Sequence, residues 1–215
     1  QTFHMFAGDH EGRLPASTDT NMGTEEWQGP WLGKEIIPRA LAGGSYGSGW
    51  PFNRFGSISH YYLDIELFRK GSGQLLRCPA LPTAPLYSGE GSNGMFDYSM
   101  WKALGGATLE NLPINAQAFF RSPEEQDVPM PLIVEEDPLY GLNNRNVDPG
   151  HAHTDRLGSW HPGGAGQYYT AAGGVYPLQG AQYKYDANTW YAYAPSGKLV
   201  SMGVHSLPFG GWDKQ

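Results

Sequence analysis

Cysteine occurs once in the 215 residues, as Cys78, so an intramolecular disulfide framework and a zinc site built from several thiolates are both excluded. Charged residues are scarce at 16%, and 14 lysines and arginines stand against 21 aspartates and glutamates, a net charge of −7. No basic stripe is available to displace counterions from phosphates, which argues against nucleic acid as a partner. No run approaches the roughly 20 apolar residues of a membrane-spanning helix, and the chain as it stands reads as soluble. A glycine-free amphipathic run of bundle length is also missing, which excludes an all-helical bundle.

Glycine and proline are abundant instead, at 30 and 17 residues, more than a fifth of the chain. That is near the level at which disorder becomes a concern. The aromatic content of 13%, with seven tryptophans and thirteen tyrosines, decides against it, because disordered chains are poor in such residues. The expectation is one folded domain over residues 1–215, long enough for a real core and rich in turns and long loops. Trp27, Trp31, Trp50, Trp101, Trp160, Trp190 and Trp212 are expected mainly to fill a core short of aliphatics; the competing use is a sugar- or protein-binding surface.

Along the chain, Gln1 to Ala7 reads as the end of a helix: Phe3 and Phe6 share a face, and Gly8 suits a left-handed stop. Two turns do not hold alone, since nucleation is costly, so this helix either packs tightly on the domain or continues upstream of residue 1; the other reading is a frayed N-terminus. Residues 9–115 read as a loop-rich αβ region, opening with the polar turn Asp9 to Pro15. It offers a helical patch at Leu32 to Leu41, an ambiguous helix or strand at Ile58 to Lys70, and a short buried strand at Leu75 to Pro79. A strand or helical turn follows at Asp97 to Leu104, a break at Gly105-Gly106, and a helical turn at Thr108 to Leu112. Residues 116–215 read as β-rich, with strands at Ala116 to Phe120 and Leu132 to Val134 and a polar loop at Gly141 to Ser159. Two hairpins close the chain, Gln167 to Tyr176 around Ala171–Gly174, and Thr189 to Met202 around Ala194–Gly197. The latter carries aromatic and β-branched residues on both arms and turn residues between them.

Chemistry-bearing residues are few. His151 and His153 share a side if extended, with Asp148, Asp155 and His161 nearby, and imidazoles with carboxylates can bind a transition metal. The loop lacks any HExxH-like spacing, so these histidines are read as solvated or structural, and His161 as bonding the backbone of the turn it precedes. Glu135 and Glu136 point to opposite faces of a strand, a poor geometry for a paired acid and base. Cys78, before proline in an apolar run, reads as a buried inert thiol. No GxSxG elbow is present, and Gly163 to Gly166 lacks the strand-to-helix context of a phosphate loop. No cofactor is implied.

The order of segments resembles a family of prepilin-like proteins abundant in Planctomycetes, Verrucomicrobia and Lentisphaerae. Phe3-His4-Met5-Phe6-Ala7-Gly8-Asp9-His10-Glu11-Gly12-Arg13-Leu14-Pro15 resembles the end of their long N-terminal helix and its "YADDNDGRLP"-like turn. Leu76-Arg77-Cys78-Pro79 is similar to their "FRCPS" segment. Phe96 to Met100 followed by Leu104 to Leu109 is similar to "YGMN…LGG", and Leu132 to Glu136 to the strand after it. Asp155 to Ala165 is similar to "RHSGGA", which opens a signature of His, nine residues, then Asp-Gly. Here Ala171 stands ten residues after His161, so the aspartate is missing; the turn is expected to be kept and the aspartate's role lost. Trp27 to Ser59 matches no part of the family pattern.

The resemblance implies a pilin-like α+β fold, with the N-terminal helix packed on an antiparallel sheet and long Gly/Pro-rich loops. It marks Cys78, Pro79, His161, Gly163 and Gly164 as structural signature positions. It implies a non-enzymatic subunit of a secretion or pilus-type filament, similar to the pseudopilins of type II secretion systems and to type IV pilins. Partners would be other pilin-like subunits and assembly components. A hydrophobic helix preceding Gln1 would sit in the bacterial inner membrane, with the globular part periplasmic or extracellular, and the chain without that helix would be monomeric. Two readings compete: a β-rich carbohydrate-binding or cell-surface module, and a hydrolase or metalloenzyme requiring His151, His153 and His161 to converge.

Overall fold

A computed structural model describes residues 1–17, 29–33, 56–63, 78–80, 97–101, 104–111, 131–136, 146–147, 158, 160–179, 190–193 and 199–202. Helices are short: α1 spans Thr2–Asp9 and α2 Ser57–Tyr61, with a 3₁₀ turn at Leu109–Asn111. Seven strands follow in chain order: β1 Tyr98–Trp101, β2 Pro131–Glu135, β3 Asn146–Val147, β4 Gly166–Thr170, β5 Val175–Gln179, β6 Trp190–Tyr193 and β7 Leu199–Met202. They form one sheet in the order β3-β1-β2-β4-β5-β6-β7. The architecture is α+β. Every pairing is antiparallel except β1 with β3, which is parallel. β3 lies inside the segment expected to be only a polar loop; two residues carry too little pattern to be recognised as a strand. None of the helices among the described residues is long and apolar enough to cross a membrane.

Phe6 and Ala7 are the buried residues of α1, while His4, Met5, Gly8 and Asp9 are exposed. Phe6 packs edge-on against Tyr62 at 5.6 Å and against His10 at 4.2 Å, and Phe3 lies 5.7 Å from Trp31. A helix this short is therefore held by tertiary contacts rather than by propensity. Its stop differs from expectation. Gly8 stays helical, the helix ends at Asp9, and the left-handed residues are Glu11 (φ 55°) and Gly12 (φ 77°). The reason lies in the partners. The Tyr62 hydroxyl donates to Asp9 at 2.9 Å, holding the last turn. The Gly12 N–H reaches back to the Ala7 carbonyl at 2.7 Å while its own carbonyl accepts from Leu109 at 2.8 Å.

The expected polar turn thus becomes a paired segment. Leu14 N–H donates to Ala107 at 2.8 Å, Gly106 N–H to Pro15 at 3.1 Å, and Arg13 bridges Thr108 antiparallel. On its other edge Trp31 N–H donates to Ala16 at 2.9 Å, and Ser57, Ile58 and Ser59 donate to Pro30 and Trp31. Leu14, Leu32 and Leu104 are completely buried, and Trp31 and Trp101 are buried as expected of core tryptophans.

In the sheet, Ser99, Val134 and Tyr168 are directly opposite one another and share a face, and Met100, Ile133 and Tyr169 share the other. Val134 and Tyr168 on one side and Met100 on the other are fully buried, so both faces are covered. β4 and β5 form the expected hairpin. The turn between them is closed by Thr170, whose N–H donates to the Gly174 carbonyl at 2.9 Å and whose Oγ1 accepts from the Gly174 N–H at 3.0 Å. β6 and β7 pair as expected, Trp190 opposite Met202 and Tyr193 opposite Leu199. Cys78 belongs to no strand; it precedes a turn at Pro79-Ala80, because proline cannot donate to a ladder. Leu32 is a bend and Gly33 is irregular, neither being the start of a helix. The remainder of Leu32–Leu41, Asp64 to Lys70, Leu75 to Arg77 and Ala116 to Phe120 lie outside the described residues.

Two outcomes follow from this packing. Leu14→Ala should cost about 2–5 kcal/mol in urea unfolding, the range for deleting a fully buried leucine side chain. His10 is held below its ordinary pKa of 6.5, chiefly by burial, with Asp9 opposing. A depressed imidazole favours the neutral form in the fold, so its contribution is complete above pH 6.5 and is lost as pH falls through the lower folded value. The urea midpoint should fall on acidification through this window, and His10→Phe should flatten the fall; an identical pH profile in the variant would refute the assignment.

Candidate metal centre

β2 is an interior strand of the sheet, bonded to β1 on one side and β4 on the other. Its last residue, Glu135, is 1% exposed, and Glu136 beyond it is completely buried. Alternation sends them to different partners, as the pattern of a strand end suggests. Glu136 Oε2 accepts a short hydrogen bond from the Ser99 hydroxyl, and its N–H donates to the Asp97 carbonyl at 2.8 Å. Glu135 faces the other way, with Oε2 accepting from Gln167 N–H at 2.8 Å and Oε1 standing 3.0 Å from His161 Nε2.

His161 is delivered by the turn before β4. Its N–H donates to the Ala165 carbonyl and its carbonyl accepts from Gly164 N–H, both at 3.0 Å. Gly163 (φ 82°) and Gly164 (φ 71°) both take left-handed conformations that a side chain disfavours. The backbone therefore closes this turn by itself. The imidazole, expected to bond the turn, instead points at Glu135 and at Cys78, whose sulfur lies 3.5 Å from Nε2.

Cys78 is held in place through its backbone: its N–H donates to Asp97 Oδ2 at 2.6 Å. Its side chain is buried, as expected. Burial is the main reason its thiol is pushed up from the usual value, and Glu135 pushes the same way. The Ala80 backbone N–H and the Trp160 side chain work in the opposite direction, favouring thiolate. The indole N–H of Trp160 is buried and has no hydrogen-bond partner. On the same sheet face, Tyr98 and Tyr169 meet edge to face at 5.7 Å, and burial raises both hydroxyls.

The sulfur of Cys78, an oxygen of Glu135 and a nitrogen of His161 all lie within 4.8 Å of one another. Sequence reasoning singled out Cys78 and His161 as structural positions and passed over Glu135 as a ligand. His151, His153, Asp148 and Asp155, the neighbours considered with His161, lie outside the described residues. A nucleophile relay needs one imidazole nitrogen on the thiol and the other on the orienting carboxylate. Here a single nitrogen, Nε2, faces both, so the trio is convergent rather than sequential. Three such donors can hold one cation.

No protein-family model, curated protein or solved structure matches the chain.

Gly166 opens β4 beside this cluster, and a Cβ there would collide with the Gly158 carbonyl. The Gly158 N–H in turn donates to the Glu135 carbonyl at 3.0 Å. Gly166→Ala is expected to destabilise by about 1–3 kcal/mol, the cost of overpacking against backbone, measured by denaturant unfolding with Gly8→Ala, at a helical position where an added Cβ meets nothing, as the comparison.

Proposed function

We propose that the chain is a non-enzymatic structural subunit, pseudopilin or type IV pilin-like, of a secretion or pilus-type filament, with its globular part on the periplasmic or extracellular side of the bacterial inner membrane. The observation that carries this reading is the placement of α1. One side of the helix, Phe6 and Ala7, is docked into the domain, while Met5 remains 52% exposed. Its first turn borders the sheet: Phe3 shares a groove of about 470 Å³ with Trp31, Tyr98, Leu132, Ile133 and Tyr169. α1 thus docks against α2 and Tyr62 and borders the sheet across the groove, and a helix so placed with an apolar residue outward would suit a filament subunit, the outward side meeting neighbouring helices.

The same groove supports a second reading, because aromatic rings around an open hollow also suit a sugar. Fractionation separates the two. The product of the natural gene should sediment with membranes and appear in the sheared-filament fraction. Recovery only in the soluble fraction, with micromolar oligosaccharide binding that Trp31→Ala abolishes, would replace the filament reading with the binding module.

A further inference from the structure

The geometry points to a zinc-class divalent cation site formed by Cys78 Sγ, Glu135 Oε1 and His161 Nε2, a fourth position being left to water. This inference stands independently of the filament reading. Zinc bonds of about 2.3 Å to sulfur and 2.0–2.2 Å to nitrogen and oxygen, at tetrahedral angles, place sulfur and nitrogen roughly 3.6 Å apart and nitrogen and oxygen roughly 3.3 Å apart. The observed separations of these two pairs are 3.5 Å and 3.0 Å, each within a few tenths of an ångström of that geometry, and sulfur and oxygen lie within 4.8 Å of each other. The donor set, one thiolate, one imidazole and one carboxylate, selects zinc over calcium or magnesium, which take oxygen alone.

Hydrogen bonds can join the trio only in pairs, through the His161 ring proton and the Cys78 thiol proton. Nε2 carries at most one proton, which can serve either Glu135 or Cys78. A cation at the shared focus engages a lone pair from all three atoms at once. Glu135 is a 1%-exposed carboxylate, and a buried charge of that kind needs a counter-charge; a thiolate and a carboxylate together neutralise a divalent ion.

The outer contacts fit the same purpose. Gln167 N–H occupies Oε2 and so turns Oε1 inward, and Asp97 fixes the Cys78 backbone. Such second contacts orient ligands and tune their basicity. His161 is 19% exposed, which leaves an approach for the ion and for the water. The bound ion would tie together the 78–80 turn, the end of β2 and the start of β4.

Cobalt(II) and zinc are the probes, added to the chelator-treated 215-residue chain. One equivalent of cobalt should give thiolate-to-cobalt charge-transfer absorption with intense tetrahedral visible bands, and zinc should displace it. Cys78→Ser should abolish the charge-transfer band. Glu135→Gln and His161→Gln should each weaken affinity by more than the roughly 10–100-fold typical of losing an outer partner, while His153→Gln should leave it unchanged. Zinc should also raise the thermal midpoint of the unmodified chain, a measurement that needs no variant to fold. Absence of saturable binding and of that thermal shift would overturn the site. So would a charge-transfer band that persists in Cys78→Ser, or one indifferent to both Glu135→Gln and His161→Gln.

Discussion

Glu135 ends the interior strand β2 as a carboxylate almost wholly removed from water, and burial of such a group is tolerable only where both oxygens are engaged. Three separate pieces of chain meet that demand. β4 supplies the Gln167 N–H, the turn before β4 supplies the His161 ring, and Gly158 bonds the Glu135 backbone carbonyl. Cys78 is drawn into the same place by Asp97, the residue that also receives the Glu136 N–H on its carbonyl. The strand end is therefore a junction: its side chain and backbone fix how residues 78–80, β1, β2 and β4 sit together.

A second constraint acts at the other end of the described core. α1 has eight residues, too few to persist as an isolated helix. Its stability comes from Phe6 against Tyr62 and His10, and from the Tyr62 hydroxyl on Asp9. The Tyr62 hydroxyl is pushed up to about 12 by burial and by the adjacent Asp9 carboxylate, so it remains a donor throughout the neutral range. Residues 12–16 then pair on both edges, with 106–109 and with 30–31. The chain leaving the helix is consequently as fixed as a strand, although its sequence has the polar, glycine-bearing look of a turn.

That contrast explains what could be read from the sequence. The β6–β7 hairpin and the β4–β5 hairpin are legible because their pairing is local, with turn residues between two aromatic or β-branched arms. β1 and β2 are legible as strands, yet nothing in their pattern says that they pair with each other across some thirty residues. β3 is not legible at all, since two residues have no period. The helix stop was placed at Gly8 by propensity, whereas bonds made by Gly12 to Ala7 and Leu109 moved it onward. Cys78 and His161 draw attention individually, but they stand 83 residues apart, and no spacing rule joins them. Glu135 beside Glu136 reads only as a pair of acids on opposite faces of a strand end. Burial, which makes it chemically interesting, is a property of the tertiary fold.

The turn between β4 and β5 shows how an uncharged side chain can close a tight turn. In a tight turn an aspartate would accept a backbone N–H two or three residues on. Here the Thr170 hydroxyl, one residue earlier, accepts the Gly174 N–H, while the Thr170 backbone closes the turn with Gly174 and Gly173. The acceptor that the turn needs is thus present without a charge. This matters for the nearby cluster, because β4 runs from the turn bearing His161 straight to Thr170, five residues with register fixed on both sides by β2 and β5. A neutral cap at its far end holds that register without adding a further carboxylate to a sheet that already buries Glu135, Glu136 and Asp97.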